Sequence, residues 1–108
     1  MDWLKTPYIL DKAYHVFHQY TVRILDKNRD EVQKNLKEKC IASMVYYPVP
    51  LHKMKVFQEN EMELFRELKN SEVASESILS LLIEPLLEKN KIYLDFIVET
   101  ITRCGVKK

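Results

Sequence analysis

Between positions 14 and 25 the chain alternates with period two. Tyr14, Val16, His18, Tyr20, Val22 and Ile24 fall on one side of an extended backbone, and Gln19, Thr21 and Arg23 on the other. That pattern predicts a strand whose first set is mostly buried. The period then lengthens. Asn28 reads as a helix N-cap, with Glu31 three residues on in a capping-box arrangement. The predicted helix runs to about residue 39, acidic at its start (Asp30, Glu31) and basic at its end (Lys37, Lys39), as the macrodipole favours. Its apolar stripe, Val32 and Leu36, is thin and suits a surface helix laid on a sheet. A turn at Cys40 leads to a second strand over 41–47, stopped by Pro48 and Pro50.

From 51 to 68, Met54, Phe57, Leu64, Phe65 and Leu68 mark one helical face. Ser71 is placed to cap a short helix over 73–79. Ser80-Leu81-Leu82-Ile83 reads as a short strand before Pro85, and Asn90 as the cap of a final helix. There Ile92, Tyr93, Phe96, Ile97, Thr100, Ile101 and Cys104 recur at i, i+1, i+4, i+5 spacing, the strongest amphipathic signal in the chain. Residues 1–13 form an extended lead-in, with Pro7 restricting Thr6. The order predicts one α+β domain over 1–108, its body at 14–104. Its architecture is a small, mostly antiparallel sheet of about three strands with helices packed on one face.

Composition narrows the function classes. The 17 basic and 16 acidic residues of this 108-residue chain are interspersed and leave a net charge of +1. No basic stripe supports a nucleic-acid partner, and no apolar run approaches the ~18 residues of a membrane-spanning helix. Cys40 and Cys104 stand apart without metal-ligand spacing, which suits reduced thiols and a cytoplasmic location. On a strand, His15 and His18 point to opposite faces, so no metal site is expected from them. The single glycine, Gly105, lies in the tail, which leaves no glycine-rich loop to cradle a phosphate.

Five segments, taken in order, resemble the C-terminal region of the DegT/DnrJ/EryC1/StrS aminotransferases. They are His15-Val16-Phe17-His18-Gln19-Tyr20-Thr21-Val22-Arg23, Arg29-Asp30-Glu31-Val32-Gln33, Tyr46-Tyr47-Pro48-Val49-Pro50-Leu51-His52, Leu79-Ser80-Leu81-Leu82-Ile83-Glu84-Pro85 and Ile97-Val98-Glu99-Thr100-Ile101. The resemblance implies the small C-terminal domain of a fold-type I enzyme that uses pyridoxal phosphate to aminate keto-sugar nucleotides. It also marks departures. Cys40 stands where the family has a glycine in left-handed geometry, and Leu82 replaces a proline.

By that resemblance the cofactor's Schiff-base lysine and phosphate cup belong to a large domain absent from this chain. No catalytic, cofactor-binding or metal-ligating residue is therefore expected here. The expected partners are that large domain or a second copy of the chain, with no nucleic acid, membrane or metal. The alternative is a free-standing interaction module that kept the fold and lost the chemistry.

The substrate-side residues implied by the resemblance are Tyr46, Tyr47, His52 and His18. Each also has a purely structural reading. Tyr46 and Tyr47 alternate faces, so only one can serve a shared pocket; otherwise they are a strand-end pair packed on a helix. His52 is either ligand-facing, or an exposed or capping histidine at a helix start. His18, sharing a face with Tyr20, reads from the strand pattern as a hydrogen-bonded core histidine in preference to a ligand. Arg23 faces the other way, toward a phosphate or a partner carboxylate.

Overall fold

The computed structural model describes residues 1–58, 68–84 and 87–104. The four-stranded sheet consists of β1 (Leu4–Lys5), β2 (Tyr20–Ile24), β3 (Ser43–Met44) and β4 (Ile78–Leu81). Every pairing is antiparallel, in the spatial order β1-β2-β4-β3. The α+β class holds, with one strand more than the hydrophobic pattern predicts. The lead-in supplies it: Leu4 pairs with Ile24 and Lys5 with Arg23.

Alternation along β2 sorts the two faces of the sheet. Tyr20, Val22 and Ile24 lie on one side, and the register sets Val22 against Leu79 and Tyr20 against Leu81. Helix α1 (Arg29–Glu38) and the final helix cover this side, each with an i, i+4 pair. Val32 and Leu36 come from α1, and Ile97 and Ile101 from the other. With Trp3, Ile41 and Leu79 they form one core. Leu36, Ile41, Leu79 and Val22 are fully buried, each worth about 1.5–3 kcal/mol by area. The opposite side is polar at its centre, where the Thr21 and Ser80 hydroxyls share a 2.8 Å hydrogen bond.

Helix α1 opens as its sequence implies. The Asn28 side chain accepts from the N–H groups of Asp30 and Glu31, although the reciprocal Glu31 bond of a full capping box is not formed. It closes at Cys40, whose φ of 59° is the left-handed geometry that favours glycine. Two further helices, α2 (Lys55–Gln58) and α3 (Lys69–Ser77), precede β4. The final helix is α4 (Lys91–Cys104), and the Asn90 side chain accepts from Tyr93 N–H at its start. At its other end Lys27 donates to the Cys104 carbonyl at 3.1 Å while lying 5.4 Å over the Trp3 ring. One ammonium thus ties the lead-in to the last turn.

Several expected boundaries move. The strand expected over 14–25 is ordered as a strand only from Tyr20, because β4 offers four residues and pairing stops at Tyr20 and Leu81. Tyr14 and Val16 are consequently exposed rather than buried. The strand expected over 41–47 is reduced to Ser43–Met44 for the same lack of partner. The one expected at 80–83 sits two residues earlier, since α3 ends directly into it. Helix α3 begins at Lys69 after Leu68, not at a Ser71 cap. The helix expected over 51–68 starts as a 3-10 turn, Leu51–Lys53, followed by α2; its 59–67 portion lies outside the described residues. In α4, Ile92 and Phe96 face solvent although they fit the apolar pattern.

Candidate functional site

The Tyr46–Tyr47 pair lies just beyond β3, at the sheet's edge. The two rings meet edge to face, with centroids 5.9 Å apart and planes at 79°, and the peptide between them is cis. Each borders a different groove, although neither lies in a strand.

Tyr46 borders a groove of about 340 Å³ together with His18, Gln19, Ser43, Met44 and Leu82. Its volume lies at the small end of the ~300–1,000 Å³ of ligand pockets. The His18 imidazole, the Gln19 amide, the Ser43 hydroxyl and the Tyr46 phenol have no hydrogen-bond partner among the described residues. No described lysine or arginine lines this groove. It therefore offers hydrogen-bond donors and acceptors to a ligand, and no lysine or arginine to a phosphate. His18 is exposed in the turn before β2, which corrects its reading as a core histidine. The strand that would have buried it begins only two residues later, at Tyr20.

Tyr47 borders a second groove of about 480 Å³, walled by Val49, Leu51, Met54, Ala74 and Ile78. His52 lies at this groove but is already engaged. Its side chain is 8% exposed, and its Nε2 lies 3.0 Å from Glu72 Oε1. Lys53 Nζ donates to Glu72 Oε2 at 2.8 Å. The bonds from Lys53 first, and His52 second, hold the Glu72 carboxyl down to about 2. His52 is thus not exposed; it lines the groove with its Nε2 paired to Glu72. It fastens the Pro-Leu-His turn to the first turn of α3.

The other end of α3 is fastened too. Arg29 Nη1 donates to the Ser75 carbonyl at 2.9 Å and to the Ile78 carbonyl at 3.5 Å, satisfying oxygens where the helix gives way to β4. Arg23 sits in β2 with an exposed side chain, away from both grooves.

Sequence reasoning did not single out Glu72, Gln19 or Ser43. Gln19 stands inside a quoted motif, next to His18. Nothing local marks Glu72, which meets its partner across twenty positions.

The described lysines were tested against the demands of pyridoxal phosphate. A Schiff-base lysine needs a desolvated position facing a cavity. All described lysines are exposed except Lys27, which is half-buried and held by the Trp3 ring and the Cys104 carbonyl. Burial raises the Cys104 thiol above its ordinary range, with Lys27 opposing, so it is not an activated nucleophile. The described residues do not fit the cofactor. No described cluster of three or more histidine, cysteine or acidic side chains could hold a metal, and no described helix is long and apolar enough to cross a membrane.

Comparison with known proteins places these features in context. The model of the DegT/DnrJ/EryC1/StrS aminotransferase family matches residues 4–102. A pleiotropic regulatory protein of Geobacillus stearothermophilus is 44% identical over 90 residues, covering 83% of this chain and 23% of its own length. The dTDP-3-amino-3,6-dideoxy-alpha-D-galactopyranose transaminase of Aneurinibacillus thermoaerophilus is 31% identical over 103 residues, covering 95% of this chain and 26% of its own. Among solved structures, a DegT DnrJ EryC1 StrS aminotransferase from Brucella abortus superposes with a TM-score of 0.81 at 27% identity. That match covers 98% of this chain and 27% of the Brucella protein. The chain thus spans about a quarter of the length of the curated relatives it matches.

Proposed function

Because the chain belongs to the DegT/DnrJ/EryC1/StrS aminotransferase family, we propose that it acts as the small domain of a pyridoxal-phosphate-dependent aminotransferase of keto-sugar nucleotides, in polysaccharide or related sugar biosynthesis. In this reading the groove at Tyr46 receives the sugar. The observation that carries it is the set of four hydrogen-bonding groups uncommitted among the described residues, His18, Gln19, Ser43 and Tyr46, gathered at one sheet edge. Hydroxyl-rich rings are bound by such mixed donors and acceptors. The diphosphate would be met by cations elsewhere in the longer enzyme, which also supplies the cofactor, its lysine and its phosphate cup. When bound, the cofactor provides the electron sink for amino transfer. Here the chain's part is to bind and orient the sugar. Free thiols at Cys40 and Cys104 support a cytoplasmic location.

A chimera tests this. Residues 4–102 would replace the matching segment of the Aneurinibacillus transaminase. The expected outcome is a protein that binds pyridoxal phosphate and turns over a dTDP-keto-sugar. A chimera that folds and binds the cofactor, yet shows no turnover with any nucleotide sugar, would refute the reading.

A second reading is an interaction module that has kept the fold without the chemistry. It draws on the name of the Geobacillus relative, a regulatory protein, and on the apolar side chains left exposed at Tyr8, Leu10, Tyr14 and Val16. On this reading the folded chain self-associates or captures a partner through that surface, and the chimera is inert.

A further inference from the structure

Phe17 has a φ of 45°, in the left-handed region that a bulky residue enters only when something holds it there. Here the holder is a histidine. The Phe17 N–H donates to Nδ1 of His15 at 3.0 Å, and the two rings lie against each other with centroids 4.1 Å apart and planes tilted by 32°. Phe17 in turn lies 5.1 Å from the ring of Tyr20, which packs against the core. The His15 turn is therefore anchored on one side to the sheet. The two residues between Phe17 and Tyr20 are His18 and Gln19, both lining the groove at Tyr46.

We propose that His15 is a positioning residue for that wall of the groove, and that a second proton on its ring releases the wall. A ring nitrogen that accepts a hydrogen bond carries no proton, so the turn requires neutral His15 with its proton on Nε2. The doubly protonated ring has two donors and no acceptor. Its Nδ1–H would face the Phe17 N–H, donor against donor. The sign follows directly: the turn is held at higher pH and is lost as pH falls through the titration of His15.

No competing charge meets the ring. The titratable neighbours along the chain are Asp11, Lys12, Tyr14 and His18, and none of them bonds to it. From the sheet only Tyr20 reaches this turn, through Phe17. The consequence for ligand binding rests on the sugar reading of the groove given above, whereas the turn itself can be tested without any ligand.

The readout is hydrogen exchange of the Phe17 amide in the 108-residue chain, followed against pH beside the His15 ring protons. Wild-type protection should fall with the same midpoint as the His15 ring. His15→Asn keeps an acceptor, because an asparagine oxygen can take the N–H two residues on in an Asx turn, but it cannot be protonated. Protection in that variant should be pH-independent after correction for intrinsic exchange. His15→Phe keeps a ring against Phe17 and loses the acceptor. Its Phe17 amide should exchange about fivefold faster than wild type above the wild-type midpoint, as loss of one net hydrogen bond implies, and at the wild-type rate below it, with Trp3 fluorescence unchanged. Wild-type protection in His15→Phe, or a surviving pH step in His15→Asn, overturns the proposal. A turn that titrates while affinity for a neutral glycoside stays constant overturns the positioning role. Absence of glycoside binding to wild type at any pH instead refutes the sugar reading, and the Phe17 profile still decides the switch.

Discussion

Tyr46 and Tyr47 are adjacent in the chain and alike in chemistry, yet their surroundings differ in kind. On the Tyr46 side an imidazole, an amide and two hydroxyl groups are left without partners among the described residues. On the Tyr47 side the walls are mostly apolar, and His52, with Lys53 beside it, is matched to one carboxylate. A polar group satisfied within the protein has little left to offer a ligand, and separating it would leave a half-buried charge. Of two histidines in family-like motifs, His18 is thus available and His52 is spent. Motif membership did not distinguish them; hydrogen-bond accounting did.

The largest test removes what both sides share. Leu36→Ala should cost about 2–5 kcal/mol, because the side chain is fully buried beneath the sheet. Denaturant melts should record that loss, and both grooves should vanish together. A small loss would mean that the α1 packing does not support either side.

The next test separates them. An ordinary glutamate titrates at 4.5, whereas Glu72 is held to about 2. The contribution of this ion cluster is therefore complete above pH 4.5 and is lost as pH falls through about 2. Glu72→Gln should abolish that acid-side step in stability and loosen the Pro-Leu-His turn, while the resonances of His18 and Gln19 stay in place. A wild-type pH step retained by the variant would show that Glu72 is not its source.

The smallest effect addresses the ligand. Tyr46→Phe should weaken binding of a neutral glycoside about fivefold, the equivalent of one net hydrogen bond, as read by NMR titration. Tyr47→Phe should change it by less than about twofold. The reverse ranking would exchange the roles assigned to the two grooves.

The features that could be read along the chain are those whose physics is local. Asn28 and Asn90 cap the helices expected of them because a cap is decided within one turn. The pairs Val32–Leu36 and Ile97–Ile101 reached the core because helical spacing puts them on one face. Cys40, flagged for standing at a position where glycine is expected, does adopt left-handed geometry. The strand limits were not legible in this way. Alternation continues back to Tyr14, but a strand extends only as far as a partner lies beside it, and β4 stops at Leu81. The lead-in strand carried no signal either, since two residues are too few for a period.

The candidate site divides along the same line. Residues 46–52 stood out by composition, and Tyr46 and Tyr47 do go to different grooves, but beyond the end of β3 and not by strand alternation. What each of them met there was beyond any local rule. Glu72 reaches His52 across twenty positions of sequence, and Ser43 and His18 meet at one groove from opposite sides of α1. The sequence alone determined the α+β class, the Asn28 and Asn90 caps and the family, because periodicity, capping and motif order are carried by neighbouring residues. Only the tertiary structure decided which histidine is free, because that depends on which distant group the folded chain brings within hydrogen-bond reach.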